Sequence, residues 1–200
     1  MRATLYKLIS WAGVLLAAVL LIAGGLLTWA SSYIGGEVHD QLASQHITMP
    51  TNETGLADLP AADRAALDQY AGQQLTTGPQ AKAYADHYIL VHMNEASGGK
   101  TYSEVSGQYI QQCTADPKAA ATQACQDLSS LRQTLFMGDT LRGLLLYGAA
   151  FATIGTIAGY GAIVAFAGAI GLVLLAGLGF WHSRRADTTV AADSQAGAHV

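Results

Sequence analysis

The chain has 200 residues, of which 51% are hydrophobic and only 12% charged, and a formal net charge of −4. Its mean hydropathy is +0.27. Soluble domains carry about a quarter of their residues as charges, so a wholly water-soluble globular protein is excluded. The basic residues of the middle segment (Arg64, Lys82, Lys100, Lys118, Arg132 and Arg142) stand singly. No basic patch forms, which argues against a nucleic-acid partner.

The first uncharged block runs from Leu8 to Trp29, behind Arg2 and Lys7. As a helix it measures roughly 33 Å, against a hydrocarbon core of about 30 Å. Lipid offers an open backbone no hydrogen bonds, so such a run is read as a membrane-spanning helix, here over 8–30. The rival reading is a cleaved signal peptide. Thr28-Trp29-Ala30 is a poor small-residue site, and the apolar core exceeds the usual length of about 7–15 residues. An uncleaved anchor is therefore expected, with residues 1–7 in the cytoplasm because of Arg2 and Lys7.

Residues 31–142 then form one small domain on the far side of the membrane. Its first part, to Pro60, contains Gly35-Gly36, Pro50, Asn52 and Gly55 and is expected to be extended or loosely structured. Asp58-Leu-Pro60 opens a helix that places Leu67, Tyr70, Ala71 and Leu75 on one face. Gly78-Pro79 ends it and starts another, carrying Tyr84, Tyr88, Val91 and Glu95, which Gly98-Gly99 caps. Thr101-Tyr-Ser-Glu104 has the form of a capping box before Val105, Tyr109, Ile110 and Cys113. An Ala-rich stretch after Asp116-Pro117 brings Cys125, Leu128, Leu131 and Leu135 towards the membrane. No run alternates with period two, so the domain reads as all-α. Cys113 and Cys125 are the only cysteines. Outside the cytoplasm they are expected to pair rather than remain as two buried thiols. Such a bridge is worth about 3 kcal/mol in the chain-entropy model.

From Gly143 to Trp181 there is no Asp, Glu, Lys or Arg. This run is about 39 residues, or roughly 58 Å of helix, nearly twice the hydrocarbon thickness. It holds either two spans turning near Gly159-Tyr160-Gly161 or one span on a helix that projects beyond the bilayer. Arg184 and Arg185 favour one span, because two would put them outside. We therefore expect a span over 159–181, an outer helical part over 143–158 covered by the middle domain, and a cytoplasmic disordered tail over 182–200. Trp29 and Trp181 serve as interface anchors with Arg184 and Arg185. Gly155, Gly159, Gly161, Ala165 and Ala169 place small residues at four-residue or closer spacing, a face that lets helices approach closely. It packs either on Gly13, Ala17, Gly24 and Gly25 of the first span or on another protein, self-association included. Asp139 and Arg142, just before the run, pair with each other or mark where the helix leaves the polar domain.

Motifs that carry chemistry are few. Gly98-Gly99-Lys100-Thr101 imitates the end of a phosphate-binding loop, but Asn94 occupies the position that requires glycine. His87 and His92 are five apart, about 140° round a helix, and do not make an i, i+4 metal pair. Each histidine, His39 and His46 included, reads as a surface residue. Asn52-Glu-Thr54 is a formal glycosylation sequon. The tyrosines at 84, 88, 102 and 109 read as parts of a small core. No intramembrane acid suggests ion transport. The composition calls for no cofactor and no catalytic residue.

Tyr84-Ala-Asp-His-Tyr88, Ser97-Gly-Gly-Lys-Thr-Tyr-Ser-Glu-Val105, the stretch from Leu131 to Leu146 and Gly179-Phe-Trp-His-Ser-Arg-Arg185 together resemble a group of small actinobacterial membrane proteins. The resemblance covers most of the chain in the same order of span, outer domain and span. Members often carry the name aromatic ring-opening dioxygenase, an activity that requires iron held by histidine and carboxylate. The resemblance itself implies a two-span envelope protein and transfers no catalytic residue. The expected protein is thus an all-α plasma-membrane protein, with two transmembrane helices flanking a small extracytoplasmic helical domain. Its expected role is that of an accessory or interaction subunit of a membrane complex. The alternatives are an outer-face iron enzyme using His39, His46, His87 and His92, or a sensor of a small apolar ligand.

Overall fold

The computed structural model describes residues 2–196, and the side chains of residues 4–185. The elements are all helical: α1 (Arg2–Ala43), α2 (Ala61–Asp68), α3 (Gly78–Tyr84), a π turn (Ala85–Ile89), α4 (Leu90–Ser97), α5 (Tyr102–Cys113), α6 (Pro117–Ala120) and α7 (Gln123–Ala196). Among the described residues, β pairing is limited to an isolated bridge between Thr48 and Gln74. The chain divides into a hairpin unit, Met1–Tyr33 with Gly155–Val200, and a central unit, Ile34–Ile154. Two helices are long and apolar enough to cross a membrane, Thr4–Ala43 and Gln123–Arg185.

In the hairpin unit α1 and α7 run antiparallel. Ser10 lies against Gly179, Gly13 against Ala176, Leu20 against Gly168, Leu27 against Gly161 and Ser31 against Gly159. Residue numbers rise along α1 from 10 to 31 as they fall along α7 from 179 to 159, so the two helices are in contact over about 20 residues each. The less exposed positions follow suit: 10, 13, 17, 20, 24, 27 and 31 on α1, and 162, 165, 169, 172, 176, 179 and 183 on α7. That alternation of three and four is the 3.5-residue period of a helix pair with an extended seam. Eleven of these fourteen positions are Gly, Ala or Ser, which lets the two backbones come close. A Cβ added at Gly24 would stand 3.0 Å from the Phe166 ring, and one at Gly161 3.3 Å from Leu27.

The central unit gathers α2 to α6 and the end of α1 on the first half of α7. Its core contains Leu42, Met49, Leu56, Leu59, Leu67, Leu75, Ala81, Ala85, Ile89, Met93, Val105, Leu135 and Leu145. Several of the predicted helix starts and stops are present. The Thr101–Glu104 capping box closes in both directions, and Gly98 ends α4 in the left-handed conformation at φ 63°. The expected start at Pro60 holds, but α2 stops at Asp68, and Tyr70, Ala71 and Leu75 reach the core from the turn that follows. A second capping box, Thr77 with Gln80, opens α3 in addition to the expected Gly78-Pro79 signal.

Two expectations are corrected in this unit. Residues 31–60 are not a loose lead-out. α1 continues through Gly35 and Gly36 to Ala43, because Val38 and Leu42 gain core contacts that outweigh the helix cost of two glycines, about 1 kcal/mol each. The chain then turns at His46 (φ 52°) and is held by main-chain bonds from Met49 to Gln73 and from Leu75 to Ile47. The second correction concerns 143–158. The segment is helical, but it is covered on one face only. Leu145 and Ala149 are buried, whereas Leu144, Tyr147, Phe151 and Ile154 are exposed. Gly78 of α3 lies against Ala149 and Ala152 and Leu42 of α1 against Gly148, while the uncovered face carries large apolar side chains.

A third correction lies at the chain's end. The helix continues from His182 to Ala196, in place of the expected disordered tail. The sequence Ala186 to Ala196 contains neither glycine nor proline, so nothing in it stops a helix already propagating.

Glycine substitutions separate packing from propensity. A Cβ at Gly78 would collide with the Ala152 methyl and lie 3.4 Å from the Ala149 Cα, whereas one at Gly35 meets nothing within 4 Å. Gly78→Ala is expected to destabilise the protein by about 1–3 kcal/mol. Gly35→Ala is expected to stabilise it by about 0.5–1 kcal/mol. Thermal unfolding of the two variants in detergent, followed by circular dichroism, should move in opposite directions.

Candidate functional site

The polar centre of the central unit is built on the π turn. Residues 81, 85, 89, 93 and 97 are buried, one every fourth position. On a uniform α-helix such a stripe drifts about 40° per step, since four residues exceed a 3.6-residue turn. The wider π turn at Ala85–Ile89 takes up part of this drift. It also sets Asp86 towards α7 and His87 towards α2.

Asp86 accepts from Arg142 at 2.8 Å and from Lys82 at 2.6 Å. Burial pushes its pKa up, but the hydrogen bonds from Lys82 and Arg142, with their charges, outweigh it and hold the carboxyl below its ordinary value. The Arg142 arm is the stronger, because Lys82 is 66% exposed and Arg142 only 29%. Arg142 therefore pairs with Asp86, 56 residues away, and not with Asp139, the partner its spacing on the helix suggests. The reason is register. The helix α3–α4 crosses α7 with Gly78 against Ala149 and Ala152, and Met93 against Gly138, which brings Asp86 level with Arg142. The sequence offers only the hint that Arg142 is the last charge before the uncharged run.

The four histidines do not converge. His87 Nδ1 lies 2.8 Å from Asp63 Oδ1. His92 Nδ1 lies 2.8 Å from the carbonyl of Tyr88, one turn back, and its ring stands over that tyrosine. His39 is on α1, and His46 is in the turn after it. Among the described residues no group of three His, Cys, Asp or Glu is placed to hold a metal. The described residues do not fit an iron centre.

Cys113 and Cys125 are joined by a disulfide that ties the end of α5 to the start of α7. Tyr84 and Tyr88 stack at 4.8 Å and, with Tyr102, pack on the core. Tyr109 instead lies under Arg132, whose Cζ is 5.0 Å from its ring. In the hairpin unit Trp29 is exposed and stacks on Tyr33, and Trp181 carries Arg185 over its ring at 4.1 Å, with Arg184 exposed. Of the small-residue face, Gly159 and Gly161 meet Ser31 and Leu27 of α1, and Gly155, Ala165 and Ala169 are buried.

Compared with family models, curated proteins and solved structures, the chain has no match.

Asp86→Asn leaves Arg142 with a neutral partner in a site about one-fifth exposed. The expected cost at neutral pH is about 1–2 kcal/mol. Because folding lowers the Asp86 pKa, its contribution is complete above the unfolded value and is lost as pH falls through the folded one. The difference between wild type and variant should therefore shrink below about pH 4. Paired denaturation curves at pH 7 and pH 3 measure it, and a constant difference would contradict the assignment.

Proposed function

We propose that this chain is a non-enzymatic integral membrane protein of the bacterial cell envelope, an accessory subunit that joins a larger membrane complex. The observation that carries the membrane part is an inverted size pattern in the hairpin unit. Its seam buries Ala17, Ala162, Ala165, Ala169 and Ala176, while Leu15, Leu16, Val19, Ile163, Val164, Ile170 and Leu174 face outward. In water this arrangement wastes about 25 cal/mol for every Å² of apolar surface left exposed. In lipid the drive to bury large apolar groups is absent and close packing decides the seam.

The register supports the proposed spans. Tyr6 lies 6.3 Å from His182 and Trp11 5.8 Å from Phe180, so Leu8–Ala30 runs beside Gly159–Trp181. Each stretch is about 34 Å long as a helix, close to a bilayer's hydrocarbon core. Lys7 and Arg184-Arg185 then share one end of the hairpin, which favours both termini in the cytoplasm. The central unit lies outside in this topology, where its disulfide is stable.

The partner part rests on the uncovered face of α7 in the central unit. Leu144, Tyr147, Phe151 and Ile154 line it. Gly148 touches Leu42, so this stretch lies beside the end of α1, which exposes Glu37, His39 and Asp40. An apolar stripe level with three ionisable groups suits a protein helix better than lipid. The occupant we propose is an apolar helix of a membrane-complex subunit.

Two measurements test the reading. A C-terminal fluorescent-protein fusion should fluoresce, and the Glu53→Cys variant should react with an impermeant maleimide in intact cells. A dark fusion, together with a Glu53→Cys variant that takes up no maleimide, would overturn the topology. A photo-crosslinking residue at Tyr147 should give one discrete adduct with another membrane protein, and one at Leu16 should not. A chain that runs as a monomer in mild detergent, with no adduct or only an adduct to itself, would overturn the accessory-subunit role.

A further inference from the structure

The face where α5 meets α7 carries a cleft of about 380 Å³, lined by Tyr102, Ser129, Arg132, Gln133 and Phe136. The geometry points to a binding site for a small carboxylate that bears a flat apolar group. Arg132 is its anchor. The guanidinium is half-buried, with its Cζ 5.0 Å from the Tyr109 ring. Stacking on an aromatic face fixes the plane of the fork, and of its five N–H donors those not turned to Tyr102 remain for a planar acceptor.

Among the described residues the charge of Arg132 is not met by an acid. The neighbouring carboxylates are engaged elsewhere: Glu104 bonds to Thr101, Asp116 caps α6 and Asp127 accepts from Gln123. The ion pairs of the central unit's described residues involve Lys82, His87 and Arg142, with Asp86 and Asp63. Hydrogen bonding with Arg132 and Ser106 holds the Tyr102 hydroxyl below its ordinary pKa, which places the guanidinium at the mouth of the cleft beside Tyr102. A carboxylate entering the cleft would take bidentate hydrogen bonds from the guanidinium, the pairing for which arginine is best shaped. Ser129 and Gln133, both exposed, add donors one turn and one residue away.

The apolar requirement comes from Phe136. It is 56% exposed at the rim, its ring 5.8 Å from that of Tyr102 and inclined at 52°. Arg132 and Phe136, one turn apart on α7, set a cation and an apolar ring side by side, with Tyr102 of α5 opposite. Small-molecule sites combine apolar surface with a few polar groups that fix orientation; here Tyr102 and Phe136 supply the first and Ser129, Arg132 and Gln133 the second. The Cys113–Cys125 bridge braces the site, because it ties together the two helices that supply opposite walls.

Phenylacetate is a suitable probe, titrated into isotope-labelled full-length protein in detergent, with the Ser129 and Gln133 amide signals as reporters. Saturable shifts are expected. Phenylacetamide, the neutral counterpart, and acetate, which lacks the ring, should each bind at least about tenfold more weakly. Arg132→Gln should weaken phenylacetate by a similar factor, with Arg132→Lys between it and wild type. Phe136→Ala lies at an exposed position and should fold normally while losing several-fold in affinity, and reduction of the disulfide should lower affinity further. Absence of saturable binding to the wild type would overturn the site. So would equal binding of phenylacetate and phenylacetamide, or an unchanged affinity in Phe136→Ala. If Arg132→Gln fails to fold, the amide probe and Phe136→Ala still decide the matter.

Discussion

Close approach of other helices to α7 through small side chains is the constraint on which the remaining structure depends. Gly179, Ala176, Gly168, Gly161 and Gly159 meet α1 in the hairpin unit. Within the central unit Gly148 meets Leu42, Ala149 and Ala152 meet Gly78, and Gly138 meets Met93. One helix thus presents glycine or alanine at each of these close approaches. Dispersion falls off within an ångström of contact, so a larger residue at these positions forfeits many contacts as the neighbouring helix moves away. The abundance of glycine in α7 reflects packing more than flexibility, because the helix runs unbroken from Gln123 to Ala196.

The polar cluster has the complementary task. Arg142 closes the charged part of α7, and its pairing with Asp86 fixes α3–α4 along the helix at one register. Apolar contacts favour a register by shape alone: a slip of one turn would set Gly78 against Leu145 or Leu146 in place of Ala149. A charge pair that would be left half-buried after such a slip reinforces that choice, because an unpaired charge there is expensive. The π turn is the geometric adjustment that lets the same helix keep Ala85 and Ile89 in the core and Asp86 on Arg142.

The helical class, the caps at Thr101 and Gly98, the disulfide and the long second helix are legible in the sequence, because each rests on local chemistry or on the length of an uncharged run. The continuation of α1 through Gly35-Gly36 is not. Local propensity argues against it, and only burial of Val38 and Leu42, visible in three dimensions, reverses the balance. The Asp86–Arg142 pair is likewise hidden by a separation of 56 residues and by a π turn that carries no sequence signature. The Arg132 cleft escapes the sequence for a different reason. Tyr102 and Tyr109 both read as core aromatics, and nothing local shows that one of them lies beneath a cation.

The 3.5-residue period of α7 links these features. A seam of small residues on one face of a helix forces the large apolar residues onto the others. In the hairpin unit those faces carry Ile163, Val164, Ile170 and Leu174, and in the central unit they carry Leu144, Tyr147, Phe151 and Ile154. The chemistry of the two groups differs in one respect. Aliphatic side chains dominate the first, whereas the second includes two aromatics beside the ionisable end of α1. Aromatic side chains bury large areas with few rotamers to lose, which is why they anchor protein interfaces. A shift from aliphatic to aromatic side chains, and from one face of α7 to another, is what would be expected if its surroundings change from lipid to protein.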